Sequence, residues 1–335
     1  MADLNTSYLD LALKSPLVVS SNPLTYDLDN LRRLEAAGAG AVVLYSLFEE
    51  QIELAELGFA DYYKSHSDEL PEAIRHVAAM KEYNQGAGSY LAHLYQAKHA
   101  LSIPVIGSLN GYYSSGWTRY ARLIEAAGAD ALELNIYYMP TKLHISGADV
   151  EQMYIDLVRD VTQSVRIPVA VKLSPYFSAM ANMARRLTGA GASGLVLFNR
   201  FYQPDFDVVN RAVVPTLDLS ISSELRLRLR WVALLAGEIE ADLAITGGVH
   251  SAEDVVKSLM AGANVAMMAS ALIQRGIDHL AVVKSDLNQW LDQNGYASVK
   301  EIRGLLSHAQ IGDTAALERA NYLNVLRTAR SKKES

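Results

Sequence analysis

The sequence predicts an α/β fold: a (β/α)8 TIM barrel with insertions after the second and sixth strands. Three observations carry this prediction. One unit recurs four times, as LEAAGAGAVVLY at 34–45, IEAAGADALELNI at 124–136, LTGAGASGLVLF at 187–198 and LMAGANVAMMAS at 259–270. Each joins a helix end to a strand through a glycine-bearing cap, where glycine supplies left-handed backbone. The runs after the caps are continuously apolar, as parallel strands covered by helices are. Finally, eight such runs are spread evenly along 335 residues. A doubly wound open sheet is the alternative, and the count of eight favours the barrel.

The elements follow in order. PLVVSS at 16–21 is the first strand, and LDNLRRLEAAG is the helix after it, with apolar residues at three- and four-residue steps. The second strand is 41–45. The gap 46–103 is the longest and reads as a helix pair with loops over the barrel mouth. PVIGSL at 104–109, ALELNI at 131–136 and PVAVKL at 168–173 are the third to fifth strands, separated by TRYARLIEAAG and VEQMYIDLVRDVTQSV. Three strands open with proline, which is tolerated at a strand's first residue. The sixth strand is 194–198, and 199–230 is the second insertion. LAITGG at 243–248, the helix AEDVVKSLMAG and the strand 265–270 complete the ring, and 280–335 is mostly helical. No shift of composition divides the chain. One domain over 1–335 is expected, with 330–335 as a frayed tail.

Half the residues are hydrophobic and a fifth are charged, enough for a large core. The net charge of −7 offers no footprint for nucleic acid. The basic stretch RLRLR at 226–230 reads as the polar face of a helix. There is no cysteine, which excludes disulfides, thiolate metal sites and a cysteine base. The histidines show no HExxH or similar spacing, so no metal is expected. No signal-peptide pattern opens the chain, and no apolar run nears the roughly 20 residues of a membrane span. A cytoplasmic protein with no membrane partner is expected.

In such barrels the active site lies at the C-terminal ends of the strands. Those ends here carry Ser20 and Ser21, Ser46, Asn110, Asn135 with Tyr137 and Tyr138, Lys172, Asn199 and Arg200, Thr246 with Gly247 and Gly248, and Ala269 with Ser270. Buried polar groups need partners, so this ring implies a polar ligand or a mutual network. Helix N-capping accounts for Ser46, Thr246 and Ser251. It does not account for Lys172, which needs an anionic or electron-rich partner. Lys172 suits a Schiff-base aldolase or a cation beside a flavin. The turns at Gly247–Gly248 and Ala269–Ser270 suit a phosphate, which barrels commonly bind after strands seven and eight. Arg200 is a candidate for an anionic substrate group. His250 caps or packs, and His144 lies in the loop after the fourth strand.

Five stretches together are specific: PLVVSSNP at 16–23, ELNI at 133–136, VAVKLSPYF at 169–177, TGGVHSAEDVVKSLMAGA at 246–263 and MASALIQRG at 268–276. On these, residues from about 3 to about 310 resemble the dihydroorotate dehydrogenase family, its soluble class 1 members and the dihydroorotate dehydrogenase-like branch above all. The resemblance implies an FMN-dependent barrel that oxidises a C–C single bond of a dihydropyrimidine, in pyrimidine biosynthesis, while a base removes a proton. It implies that Ser20, Ser21, Ser46, Asn135, Lys172, Gly247, Gly248, Ala269 and Ser270 hold FMN. It implies that Asn135 and Asn199 contact substrate, and that the chain is a homodimer serving an electron acceptor. Fumarate, a quinone, NAD(P) and oxygen all stay open for that acceptor.

Three departures accompany the likeness. Tyr45 replaces a family lysine, and 46–103 lacks the family's asparagine-rich orotate loop. ELNIYYMP replaces ELNLSCPN, so Tyr138 stands at the position of the base cysteine. Tyr138 is then the candidate proton carrier beside Lys172, and packing is its other reading. A tyrosine with its usual pKa near 10 is a better acid than base at neutral pH, which favours reduction of an activated alkene. The alternatives are a phosphosugar lyase using Lys172 and a flavin-binding protein without turnover.

Overall fold

The computed structural model describes residues 2–52, 86–111, 116–200, 202–312, 314 and 317. Eight parallel strands form its centre: β1 (Leu17–Val19), β2 (Ala41–Val43), β3 (Val105–Gly111), β4 (Ala131–Ile136), β5 (Val169–Leu173), β6 (Gly194–Leu197), β7 (Asp242–Thr246) and β8 (Val265–Met268). Each pairs with the next, and β8 pairs back onto β1, which closes the barrel. The predicted strands are all present, with ends that agree or differ by at most two residues. The three prolines sit one residue before their strands. There they lack only the N–H they could not offer, and the carbonyls of Pro16, Pro104 and Pro168 still accept from Ala266, Val42 and Leu132.

Helices α1 (Leu28–Ala36), α2 (Ala87–Ala100), α3 (Trp117–Ala126), α4 (Gly147–Ser164), α5 (Met180–Gly189), α6 (Leu225–Leu235), α7 (Ala252–Ala261) and α8 (His279–Gln293) alternate with the strands. Their starts are coded locally. Asp27 accepts from the N–H groups of Asp29 and Asn30 at α1. Ser146–Asp149 and Ser251–Asp254 form capping boxes at α4 and α7. Gly262 ends α7 at φ 115°, the left-handed cap the repeated unit predicts. Of the expected helix pair in 46–103, α2 is present, and 53–85 lies outside the described residues, as does the tail at 330–335.

Strand alternation sorts the core into two clusters. Leu132, Leu134 and Ile136 of β4 face outward to the helices. Ala131 faces inward with Val18, Ile106, Ala170, Val196 and Ala244. An antiparallel hairpin, Thr6–Tyr8 with Leu11–Leu13, packs Tyr8, Leu9 and Leu13 into this inner cluster and plugs the N-terminal mouth. Its turn residues Leu9 and Asp10 take positive φ, and Leu9 N–H donates to Asp242 Oδ2 at 2.6 Å. The sequence gives no sign of this hairpin, which falls before the first predicted strand. A second hairpin, Asp205–Asp207 with Ala212–Val214, lies in the predicted insertion after β6.

Burial of tyrosines gives the fold an alkaline signature. Burial pushes Tyr45 and Tyr154 up to about 12, and raises Tyr90 further. Between the ordinary value of 10.0 and about 12, the folded chain keeps phenolic protons that the unfolded chain has released. Stability is therefore complete below pH 10 and falls as pH climbs through 12. A phenolate absorbance titration is expected to show a late-ionising fraction that joins the main transition only in denaturant. Ionisation of every tyrosine near pH 10 in the native protein would contradict this.

Candidate active site

The inner face changes character along each strand. Above the apolar layer stand Ser108, Glu133, Lys172 and Thr246, all buried, with Ser20 just beyond β1 and Asn135 near the end of β4. Register sets them level. Ser108 pairs with Glu133 and Asn110 with Asn135 across β3–β4, and Asn135 pairs with Lys172 across β4–β5. Period-2 alternation then points all of these side chains inward.

Lys172 is 6 % exposed, and its Nζ lies 3.5 Å from Glu133 Oε1 and 3.5 Å from Ser20 Oγ. Ser20 Oγ also accepts from Thr246 Oγ1 at 3.3 Å. Ser46 Oγ meets Ser108 Oγ at 2.8 Å and Ser21 Oγ at 3.4 Å. Thus Ser46 and Thr246 join an interior network and do not cap helices, whereas Ser251 does cap α7. Asn199 Nδ2 donates to Asn135 Oδ1 at 2.6 Å, which ties the end of β6 to that of β4.

One cavity opens above this layer. Ser20, Ser21, Ser46, Asn135, Lys172, Asn199, Arg200, Gly247, Gly248, Ala269 and Ser270 all line it. Of the residues weighed for chemistry, Tyr138 and Tyr137 are outside the lining, as are His144 and His250. β4 ends at Ile136, so strand parity stops predicting direction there. Tyr138 is half-buried against the outer core. Tyr137 accepts from Tyr202 N–H at 3.0 Å, and burial raises its pKa. The structure therefore does not bring the expected proton carrier, Tyr138, to the cavity.

At the other end, Gly247 and Gly248 take φ 86° and 88°. A Cβ at Gly248 would lie 2.6 Å from the backbone N of Leu225, so only glycine fits between β7 and the start of α6. Gly248 N–H donates to Ser220 Oγ, and Ser220 N–H donates to Ser270 Oγ, each at 3.1 Å. Arg200 lines the cavity but is bidentate to Glu224, with Nη1 at 2.9 and 2.7 Å from the two oxygens. Burial would raise the Glu224 pKa, but the Arg200 hydrogen bond and charge outweigh it and lower it.

Sequence reasoning missed Arg228, Ser220 and the inward role of Glu133. Arg228 does not belong to a polar helix face. It shares the buried stripe of α6 with Leu225, Val232 and Leu235, while Arg226 and Arg230 are exposed. The helical phase of those leucines and valine was the signal. His250 is buried, and burial lowers its pKa. Among the described residues, no group of three or more His, Asp or Glu could hold a metal. No helix among them is long and apolar enough to cross a membrane.

The family model described as dihydroorotate dehydrogenase matches residues 76–291. The chain belongs to the dihydroorotate dehydrogenase family. A protein of Aeropyrum pernix named putative dihydroorotate dehydrogenase A (fumarate) is 29 % identical over 317 residues, covering 92 % of this chain and 98 % of that one. Catalytic subunits named dihydroorotate dehydrogenase B (NAD(+)) are similar too. That of Thermoplasma acidophilum is 27 % identical over 316 residues, covering 91 % of this chain and 99 % of its own. That of Pyrococcus abyssi is 28 % identical over 312 residues, covering 90 % and 98 %. Membership in this dehydrogenase family sets aside the aldolase alternative. The Glu133 ion pair agrees, since it suits a lysine used as a fixed cation, whereas a Schiff base needs a free amine.

Proposed function

We propose that this chain is an FMN-dependent oxidoreductase acting on the CH–CH or C=C bond of a small conjugated molecule. The observation that carries this reading is the shared cavity, with Lys172 and the Asn135–Asn199 pair at one end and Gly247, Gly248, Ala269 and Ser270 at the other. The fit to FMN is supported by two features. The glycine turn has no space for a Cβ, and a buried cation stands beside it. FMN, when bound, supplies hydride transfer. Lys172 presents positive charge to an electron-rich ring, and the two asparagines offer amide groups to carbonyls of a substrate. Ser20, Ser21 and Ser46 line the same space, and Arg200, held by Glu224, lines it too.

Proton transfer is where this reading departs from the pattern that the family resemblance implies. No Cys, His, Asp or Glu is among the described residues lining the cavity. Tyr45 does line it, and burial pushes its pKa up to about 12, so it stays a donor at neutral pH. This supports reduction of an activated alkene over oxidation of dihydroorotate. Slow or absent flavin reduction by dihydroorotate under anaerobic conditions is expected, and fast reduction would overturn the preference. Because Tyr138 is outside the lining, Tyr138→Phe is expected to keep most of the turnover. A loss of about 10²-fold or more, the scale of a missing general acid or base, would restore it as the proton carrier.

A further inference from the structure

We propose that Arg228 recognises the phosphate of the cofactor and makes the cavity prefer FMN to riboflavin, an assignment that rests on the FMN reading above. Among the described residues, three cations line the cavity: Lys172, Arg200 and Arg228. Lys172 is paired with Glu133, and Arg200 with Glu224. Arg228 forms no ion pair with a carboxylate among the described residues. It is nonetheless 6 % exposed. The nearby charge is Glu224, which acts on Arg228 through space but is already bound to Arg200, so one carboxylate faces two cations and an anion from outside the chain would complete the balance.

The geometry says where that anion sits. Arg228 Nε donates to the Thr246 carbonyl and Nη1 to the Glu224 carbonyl, both at 2.7 Å. These two bonds fix the guanidinium plane. Its Nη2 makes no hydrogen bond within the described residues and has two N–H groups to give. A Cβ on Gly247 would lie 2.8 Å from Nη2 and 3.0 Å from Nε, so the guanidinium rests against the first glycine of the phosphate turn. Gly247 is thus required twice over, for its φ of 86° and for the space the arginine takes. A planar guanidinium with donors to spare, pinned against Gly247 in the cavity that Gly248 and Ser270 also line, is matched to a dianionic phosphate monoester. The uncharged hydroxyl end of riboflavin gives it no counter-charge.

The same two carbonyl bonds also fasten α6 to β7, so the test must separate binding from scaffolding. The full chain, freed of flavin, is titrated with FMN and with riboflavin, following the quenching of flavin fluorescence. Arg228→Met, which keeps the stem, is expected to weaken FMN about 10–100-fold, the range for loss of charge-assisted hydrogen bonds. Riboflavin affinity is expected to stay the same. Arg228→Lys keeps a charge without the fork and is expected to retain part of the preference. Equal weakening of both flavins, or no change in FMN affinity in a folded Arg228→Met protein, would overturn the assignment. Wild-type chain that binds both flavins equally overturns it alone, whereas wild-type chain that binds neither overturns the FMN reading as well.

Discussion

Replacing Lys172 by methionine is expected to make the bound flavin harder to reduce, moving its midpoint potential down by about 30–60 mV. Methionine keeps most of the stem volume and removes only the charge. Lys172 stands at the end of β5, 6 % exposed, on the inner face that forms the cavity floor. Reduction adds negative charge to the ring, and a fixed cation in a water-poor site stabilises that charge more than it would in water. Turnover on the true substrate is expected to fall about 10²–10³-fold, the cost of losing one preorganised electrostatic partner. Equilibration against redox dyes reads the potential directly. A potential unchanged by Lys172→Met would mean that the lysine does not face the flavin.

The second large effect concerns the residue beneath it. Glu133 is 1 % exposed, and neither carboxylate oxygen has a hydrogen-bond partner among the described residues. Its pairing is the ion pair with Lys172 at 3.5 Å. Glu133→Leu leaves the ammonium buried without its counter-charge, which costs about 3–5 kcal/mol in unfolding free energy. The double replacement Glu133→Leu with Lys172→Met removes both charges and is expected to recover most of that loss. Urea unfolding of the four proteins forms a double-mutant cycle. Strictly additive losses would show that the two groups do not depend on each other.

The barrel was legible because its physics is repetitive. Each strand is covered on both faces, so it reads as an unbroken apolar run, and each helix before it ends in a residue that must turn. The ring of polar strand ends was legible for a related reason, since the fold fixes where chemistry can sit before any residue is weighed. Legibility failed where direction depends on more than a strand's phase. Tyr138 lies two residues past the end of β4, where alternation no longer applies, and it packs outward. Arg228 was one of three arginines in RLRLR, and only the phase set by Leu225 and Val232 separates it from its exposed neighbours. Ser220 lies in the long insertion, which has no period to read, yet it bridges the Gly247–Gly248 and Ala269–Ser270 turns. Capping chemistry explained Ser46 and Thr246 too readily, because a hydroxyl after a strand looks the same whether it turns to a helix or to the barrel axis.

FMN binding is the claim on which the other assignments depend, and the absorption spectrum of the purified chain tests it most directly. Flavin bands that persist through desalting, from a cofactor released on denaturation as FMN at about one per chain, are the predicted result. A chain that is colourless as purified and remains so after incubation with FMN would contradict it.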